Sequence, residues 1–251
     1  MTPVPLAIIV PARLGSTRFP RKLLHPIHGR ALILRTAERI RDQSPEYPLH
    51  FAVAEDELAQ VLQAEGFSTV MTDPALPSGT DRLAAANLRI HATAVINVQA
   101  DEPLVTRRQI HTLAELILTG RADMATLVTR FRTPAEFHNP NRVKAILAGD
   151  GRALYFSRAP IPYPRDLRGQ ATPQWLAEQQ CYLHLGMYAY TAQFLRTFRT
   201  LAPGKLEQIE KLEQLRALEN GFTILAGETD EPTQGVDTLE DADALERLQG
   251  A

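Results

Sequence analysis

The chain has 251 residues, 44% of them hydrophobic and 22% charged, an ordinary balance for a globular protein, with enough material for one large α/β domain or two small ones. Its 27 basic and 29 acidic residues leave a formal net charge of −2. That excludes the broad basic field of a nucleic-acid binder and gives no pull toward an anionic membrane, so any cationic site has to be local. The single cysteine, Cys181, rules out an internal disulfide and fits a reducing, cytoplasmic setting; it reads as a small buried hydrophobe, with a catalytic thiol as the alternative. Met1 to Pro5 carry no positive region and the apolar run behind them ends at Pro11, so no signal peptide is expected.

The first element is a short apolar run, Leu6 to Val10, the length of a buried strand and too short for a membrane span. Pro11 lacks a backbone donor and is expected to stop it. The loop behind it holds Gly15, Ser16 and Thr17 with four cations, Arg13, Arg18, Arg21 and Lys22, although only four lysines occur among the 27 basic residues. A helix is expected over Ala31–Arg41, where Leu32, Leu34, Ala37 and Ile40 recur near the helical period. Strand, cationic glycine-bearing loop and helix together offer N–H groups and positive side chains to a polyphosphate. The loop lacks both the G-x-x-x-x-G-K-[ST] and the G-x-G-x-x-G patterns, and a solvated surface turn is the competing reading.

Strands are expected next at Leu49–Ala54, Thr69–Met71 and Ala94–Val98, and helices at Glu55–Glu65, Asp81–Leu88 and Arg107–Leu118. The alternation is that of βαβ units, hence an α/β fold with a Rossmann-like, mainly parallel sheet flanked by helices. Ala94–Val98 runs into Gln99-Ala100-Asp101-Glu102-Pro103. Ligands of open parallel sheets bind beyond the carboxyl ends of strands, and two acids there could hold magnesium (Mg2+), which takes hard oxygen ligands shared with substrate phosphates. The acids could equally complement the N-terminus of a following helix. Before that strand, Ser78 or Thr80 of Ser78-Gly79-Thr80-Asp81-Arg82 can cap a helix, which accounts for the segment without any function.

Tyr155–Trp175 is rich in proline and arginine and reads as a long excursion, either packed on a partner subunit or a surface loop; it is not a domain boundary, because regular patterns resume behind it. Gln180–Tyr190 alternates cleanly, with Cys181, Leu183, Leu185, Met187 and Ala189 on one side and Tyr182, His184, Gly186, Tyr188 and Tyr190 on the other. This is a half-buried strand whose polar, aromatic face suits a hydroxyl-rich ligand or ordinary cross-strand pairing. Leu206–Asn220 reads as one helix ended by Gly221, with Leu206, Ile209, Leu212, Leu215 and Leu218 on its apolar side and Glu210, Glu213 and Gln214 on another face. Thr238 and Asp241 form a capping box for Leu239–Leu248. Asp237 lies outside that box and reads as a turn residue or a second metal ligand.

Seven segments in this order, IIVPARLGSTRFPRKLL, SGTDR, INVQADEP, YFSRAPIP, HLGMYAY, LEQIEKLEQLRALENG and GVDTLEDAD, resemble the cytidylyltransferases of 3-deoxy-D-manno-octulosonate (Kdo), the CMP-Kdo synthetases, over nearly the whole chain. Ala100 is a departure, standing where that family usually has glycine. The resemblance implies a nucleotide-diphospho-sugar transferase type of fold, a single domain over residues 1–251, sugar-site and dimerisation elements within about 125–190, and a homodimer in which the excursion meets its partner. It implies transfer of CMP from CTP to Kdo for lipopolysaccharide biosynthesis, with magnesium as cofactor. Arg13 and Lys22 would bind the triphosphate, while Pro11, Ala12, Ser78 and Gln99 would surround cytosine and ribose. Asp101 and Asp237 would hold the metal, and the sugar acid would lie near Gln99, Arg158, His184, Tyr188, Glu213 and Gln214. Competing functions are a cytidylyltransferase for 8-amino-Kdo or a sialic-acid type of sugar, a nucleotide-sugar glycosyltransferase, and a non-enzymatic nucleotide-sensing module. Glycosyltransferases commonly carry Asp-x-Asp after a strand, where this chain has Asp101-Glu102-Pro103.

Overall fold

The computed structural model describes residues 4–16, 18–231 and 235–249; residues 1–3 of the leading segment and Thr17 of the cationic loop lie outside them. In chain order the elements are β1 (Val4–Ala12), a 3-10 turn (Lys22–Leu24), β2 (Pro26–Ile27), β3 (Arg30–Ala31), α1 (Leu32–Gln43), β4 (Leu49–Val53), α2 (Asp56–Ala64), β5 (Ser68–Met71), α3 (Gly79–Ile90), β6 (Ala92–Asn97) and α4 (Arg107–Leu118). There follow β7 (Met124–Arg130), α5 (Pro134–His138), β8 (Lys144–Leu147), β9 (Ala153–Ser157), a 3-10 turn (Arg165–Leu167), α6 (Pro173–Glu178), β10 (Tyr182–Thr191), α7 (Ala192–Phe198), α8 (Lys205–Glu210), α9 (Gln214–Glu219), β11 (Ile224–Glu228) and α10 (Leu239–Gln249). The architecture is mixed α/β, a mostly parallel sheet flanked by helices. The chain gathers into two compact units, Met1–His111 with Tyr190–Arg199 and Thr233–Ala251, and Thr112–Ala189 with Thr200–Pro232.

The first unit is built on parallel strands in the order β6-β1-β4-β5, in register at Leu6↔Ala94, Ile8↔Leu49 and His50↔Ser68. Leu6 to Val10 are all buried because β1 has a neighbour on each side and is covered on both faces, which is why its sequence is continuously apolar. On α1, Leu32, Ile33, Ala37 and Ile40 turn inward at helical spacing. Pro11 does not stop the strand: it pairs with Ala52 inside β1. The β6 register ends at Ile9↔Asn97, so Pro11 lies where one flank of the strand has lost its neighbour, a position that tolerates a missing N–H.

In the second unit β11 runs parallel to β7, β10 lies next to β7, β8 pairs antiparallel with β10, and β9 pairs antiparallel with β8. β7 is a strand the sequence patterns did not single out. The expected alternation in β10 holds on its apolar side, where Leu183, Leu185, Met187 and Ala189 are buried along with Cys181. Of the proline-rich excursion, Tyr155–Ser157 belongs to β9, and the chain then has no regular element until α6 apart from one 3-10 turn.

The expected helix over Leu206–Asn220 is two helices. Lys211 adopts φ +54° after α8, and α9 starts again at Gln214. The break leaves Ile209 on the surface, 77% exposed, while Leu212 and Leu215 are buried. Its cause is tertiary: the Glu210 carboxylate accepts from the Ser157 hydroxyl and the Arg158 N–H at 2.6 and 2.9 Å, drawing the end of α8 onto β9. Gly221, at φ +78°, ends α9 as its sequence position predicts, with its N–H on Leu218 O.

Candidate active site

β1 and β6 are adjacent and parallel, so their carboxyl ends release the chain at the same sheet edge. Residues 13–21 follow β1, and residues 98–102 follow β6. Pro11, Ala12, Arg13, Gly15, Ser16, Arg18, Lys22, Ser78, Gly79, Arg82, Gln99, Ala100, Asp101 and Asp237 line a cavity of about 380 Å³ there, a size that suits a small-molecule ligand. Eight sequence-predicted residues, Pro11, Ala12, Arg13, Lys22, Ser78, Gln99, Asp101 and Asp237, thus line one cavity.

Three of them meet directly. The Lys22 ammonium donates to Asp101 Oδ2 and, at 2.9 Å, to Asp237 Oδ1, while Arg18 reaches Asp237 Oδ2 at 2.9 Å. Lys22 is carried there by the 3-10 turn, entered through Arg21 at φ 58°. Asp237 is held from two sides. The neighbouring Val236 N–H donates to Asp101 O at 2.9 Å, and the N–H groups of Asp237 and Thr238 donate to Asp241 Oδ2 at 3.0 and 2.9 Å. The capping box therefore has a further consequence, because the cap of α10 fixes the residue just before it.

The charges tune one another. Burial alone would lower the Lys22 pKa, but the charges and hydrogen bonds of Asp101 and Asp237 outweigh it and raise it. Burial works to raise Asp237, and Lys22 with Arg18 more than reverses this, holding its carboxyl below the ordinary value. Glu102 differs from its neighbour: it is turned inward and largely buried, with Oε2 lacking a partner among the described residues. Burial, with the negative charges of Asp101 and Asp237, pushes it up to about 8, so it is mostly neutral at pH 7. Of the two acids after the expected strand Ala94–Val98, only Asp101 presents a carboxylate to the cavity.

A hard divalent ion fits this donor set. Two carboxylates already converge on one cation, the Lys22 ammonium, and both offer oxygen. Among the described residues no cluster of three or more His, Cys, Asp or Glu forms, so the remaining ligands would come from substrate oxygens and water.

Ser78 caps α3, accepting from Asp81 N–H at 3.2 Å and donating to Asp81 Oδ2 at 2.8 Å, which presents the helix N-terminus to the cavity. Arg82, one turn further along α3, is only 2% exposed and bonds the Asp73 carbonyl and the Thr72 hydroxyl. The sequence reading assigned it no role. Its four-residue spacing from Ser78, which puts both on one helix face, was the available signal. Arg18, which the sequence named only as one of four loop cations, contacts Asp237 directly.

The remaining candidates belong to the second unit. His184 packs against Phe156 and Tyr188, with ring centroids 4.9 and 5.4 Å apart. Its Nε2 lies 3.0 Å from Thr126 Oγ1, a hydroxyl that also lies 2.8 Å from Met187 O and 3.2 Å from Leu185 O. Desolvation pushes the imidazole pKa down to about 3, so the ring is neutral. Gln214 is 4% exposed, and its Nε2 has no partner among the described residues, an orphaned donor suited to a polar ligand. The Arg158 guanidinium donates to the carbonyls of Glu210 and Pro140 at 2.6 and 3.1 Å. Glu213 stands at the N-terminus of α9, in the break between the two short helices. Cys181 is buried in the same unit, with its thiol pKa pushed up by desolvation to about 11, which leaves it inert.

The family described as Cytidylyltransferase matches residues 7–225. A 3-deoxy-manno-octulosonate cytidylyltransferase of Polynucleobacter asymbioticus is 41% identical over 248 residues, covering 97% of this chain and 95% of that protein. One from Neisseria meningitidis serogroup A is 40% identical over 242 residues, 95% of each. Among solved structures, a CMP:2-keto-3-deoxy-manno-octonic acid synthetase complexed with CTP superposes with a TM-score of 0.88 at 35% identity, covering 98% of both chains. The 4-diphosphocytidyl-2C-methyl-D-erythritol synthase of Anaerococcus prevotii, 7% identical with a TM-score of 0.62 over 98% of both chains, shares the fold alone.

Proposed function

This chain belongs to the 3-deoxy-manno-octulosonate cytidylyltransferase family, and we infer that the cavity at the carboxyl edge of its first unit transfers CMP from CTP to the anomeric hydroxyl of Kdo, releasing pyrophosphate. The observation that carries this reading is the convergence of Lys22, Asp101 and Asp237 in a cavity also lined by Arg13 and the capped start of α3.

Two anions have to meet, a sugar carboxylate and a triphosphate. Arg13 and Lys22 would bind the triphosphate and stabilise charge gathering on the departing pyrophosphate. Pro11, Ala12, Ser78 and Gln99 would surround the cytosine and ribose. Asp101 and Asp237 would hold magnesium, which when bound supplies charge neutralisation at the α-phosphate and a lowered pKa for the attacking hydroxyl. Lys22 would then leave the two carboxylates for the phosphates, so the same side chain balances charge before and after the nucleotide arrives. In the second unit the sugar-acid candidates are Arg158, Tyr188, Glu213, neutral His184, and Gln214 with its orphaned amide as a donor. No side chain needs to form a covalent intermediate.

The two units are read as one cytidylyltransferase domain acting in the cytoplasm, where CTP is made, and as half of a homodimer whose partner meets the irregular segment after β9. No helix among the described residues is long and apolar enough to cross a membrane. Pyrophosphate release with Kdo and magnesium, compared across CTP, UTP, ATP and GTP, tests the function. Turnover with CTP alone is expected. CTP binding without consumption would overturn the reading in favour of a sensing module.

A further inference from the structure

Lys144, the first residue of β8, is fully buried, with 0% of its surface exposed. Burying an ammonium works against folding unless hydrogen bonds replace the lost water, and an apolar residue would fill the same volume without that penalty. The ammonium has replaced water with two backbone carbonyls, Asn139 O at 2.8 Å and Arg158 O at 2.9 Å. Desolvation lowers its pKa, and the Arg158 charge lowers it further. Such a lysine fixes two segments of backbone to one another, the turn after α5 and the chain leaving β9.

The same two segments meet again through Arg158, whose Nη1 donates to Pro140 O, one residue beyond the Lys144 acceptor. From the other side Glu210 completes the enclosure. Its carboxylate accepts from Ser157 Oγ and Arg158 N–H, and its carbonyl accepts from Arg158 Nε. Ser157 is itself 3% exposed, so the bond from its hydroxyl is shielded. The main chain of Arg158 is therefore held at both its carbonyl and its N–H, and its side chain at Nε. The grip on Glu210 also ends α8 and sets the break from which Glu213 and Gln214 start α9.

We propose that Lys144 and Glu210 are positioning residues for the sugar acid: together they fix the Arg158 backbone and guanidinium and the start of α9 in the geometry that receives the sugar carboxylate and hydroxyls. The proposal rests on the reading of the second unit as the Kdo-binding part. Neither residue touches substrate; each acts through groups that do. Because a displacement of about 1 Å in a positioned group can lower rates up to about 100-fold, removing either clamp has a large and selective effect.

The test compares steady-state kinetics of the full-length protein carrying Lys144→Met, Glu210→Ala, Glu210→Gln or Arg158→Ala, with magnesium present. Lys144→Met and Glu210→Ala are expected to raise the KM for Kdo about tenfold or more while leaving the KM for CTP within about twofold. Glu210→Gln, which keeps one acceptor oxygen, should recover part of the loss. A merely structural role would lower the active fraction, and hence kcat, without separating the two KM values. If Lys144→Met does not fold, Glu210→Ala and its glutamine rescue decide the matter. Wild-type KM for Kdo in the folded clamp variants, with a raised KM in Arg158→Ala, would overturn the positioning role alone. An unchanged KM in Arg158→Ala would overturn the reading of the second unit as well.

Discussion

Replacing Lys22 with methionine keeps the length of the side chain and removes the charge that Asp101 and Asp237 share. A hydrogen bond to a charged group contributes about 1.5–3 kcal/mol, while an exposed ion pair contributes about 0–1 kcal/mol. The Lys22 and Asp101 side chains are 14% and 22% exposed, so their bond belongs near the first range. Asp237 is 48% exposed, and its share falls toward the second. The ligand-free variant should therefore lose about 2–3 kcal/mol, or roughly 4–12 °C in Tm for a chain of this size. The pH dependence has a definite sign. The folded pKa of Asp237 is depressed, so its contribution is present above the ordinary carboxylate value and is lost as pH falls through the folded one. The folded pKa of Lys22 is raised, so its contribution is present below 10.5 and is lost as pH rises through the folded value. The gap in Tm between wild type and Lys22→Met should thus be full at pH 7.5 and shrink as acid protonates Asp237. Thermal denaturation followed by circular dichroism measures it, and calorimetric titration with CTP should show a dissociation constant raised about 10- to 100-fold. Equal Tm at pH 7.5 together with unchanged CTP affinity would refute the reasoning.

His184 gives a second pH signature. Its folded pKa, near 3, lies below the ordinary 6.5, so the unfolded chain binds more protons between those values and stability falls with acidification. Urea unfolding of the wild type should lose up to about 1.4 kcal/mol per pH unit below 6.5 relative to His184→Gln, and parallel curves would contradict a desolvated ring. Cys181, at about 11, should resist a thiol reagent at pH 8 until the protein is denatured, and rapid labelling of the native protein would contradict its burial.

The first unit was legible because its signals are local and its strands are covered on both faces. Leu6–Val10 is uniformly apolar for that reason, and the spacing of Leu32, Ala37 and Ile40 announces α1. The strand over Pro11 was missed because tolerance for proline there depends on where β6 stops, a tertiary fact. The second unit was less legible for the same kind of reason. Leu206–Asn220 has the periodicity of a single helix, and only the capture of Glu210 by Ser157 and Arg158 breaks it. In the cavity, residue types announced Lys22, Asp101 and Asp237; spacing left the adjacent acids Asp101 and Glu102 open, and only the family resemblance picked Asp101. Backbone direction decides that: Glu102 is carried inward and neutralised, while Asp101 faces Lys22. Arg82 escaped notice because capping by Ser78 already explained its segment.

In the proposed reaction Asp101 and Asp237 act together on the transferred phosphate. Pyrophosphate release by Asp101→Asn and Asp237→Asn, at saturating CTP, Kdo and magnesium and with folding checked by circular dichroism, tests it most directly. Asp101→Asn is expected to lose most turnover while the fold is retained, and Asp237→Asn to fall with it. Near-wild-type rates from either folded variant would contradict it.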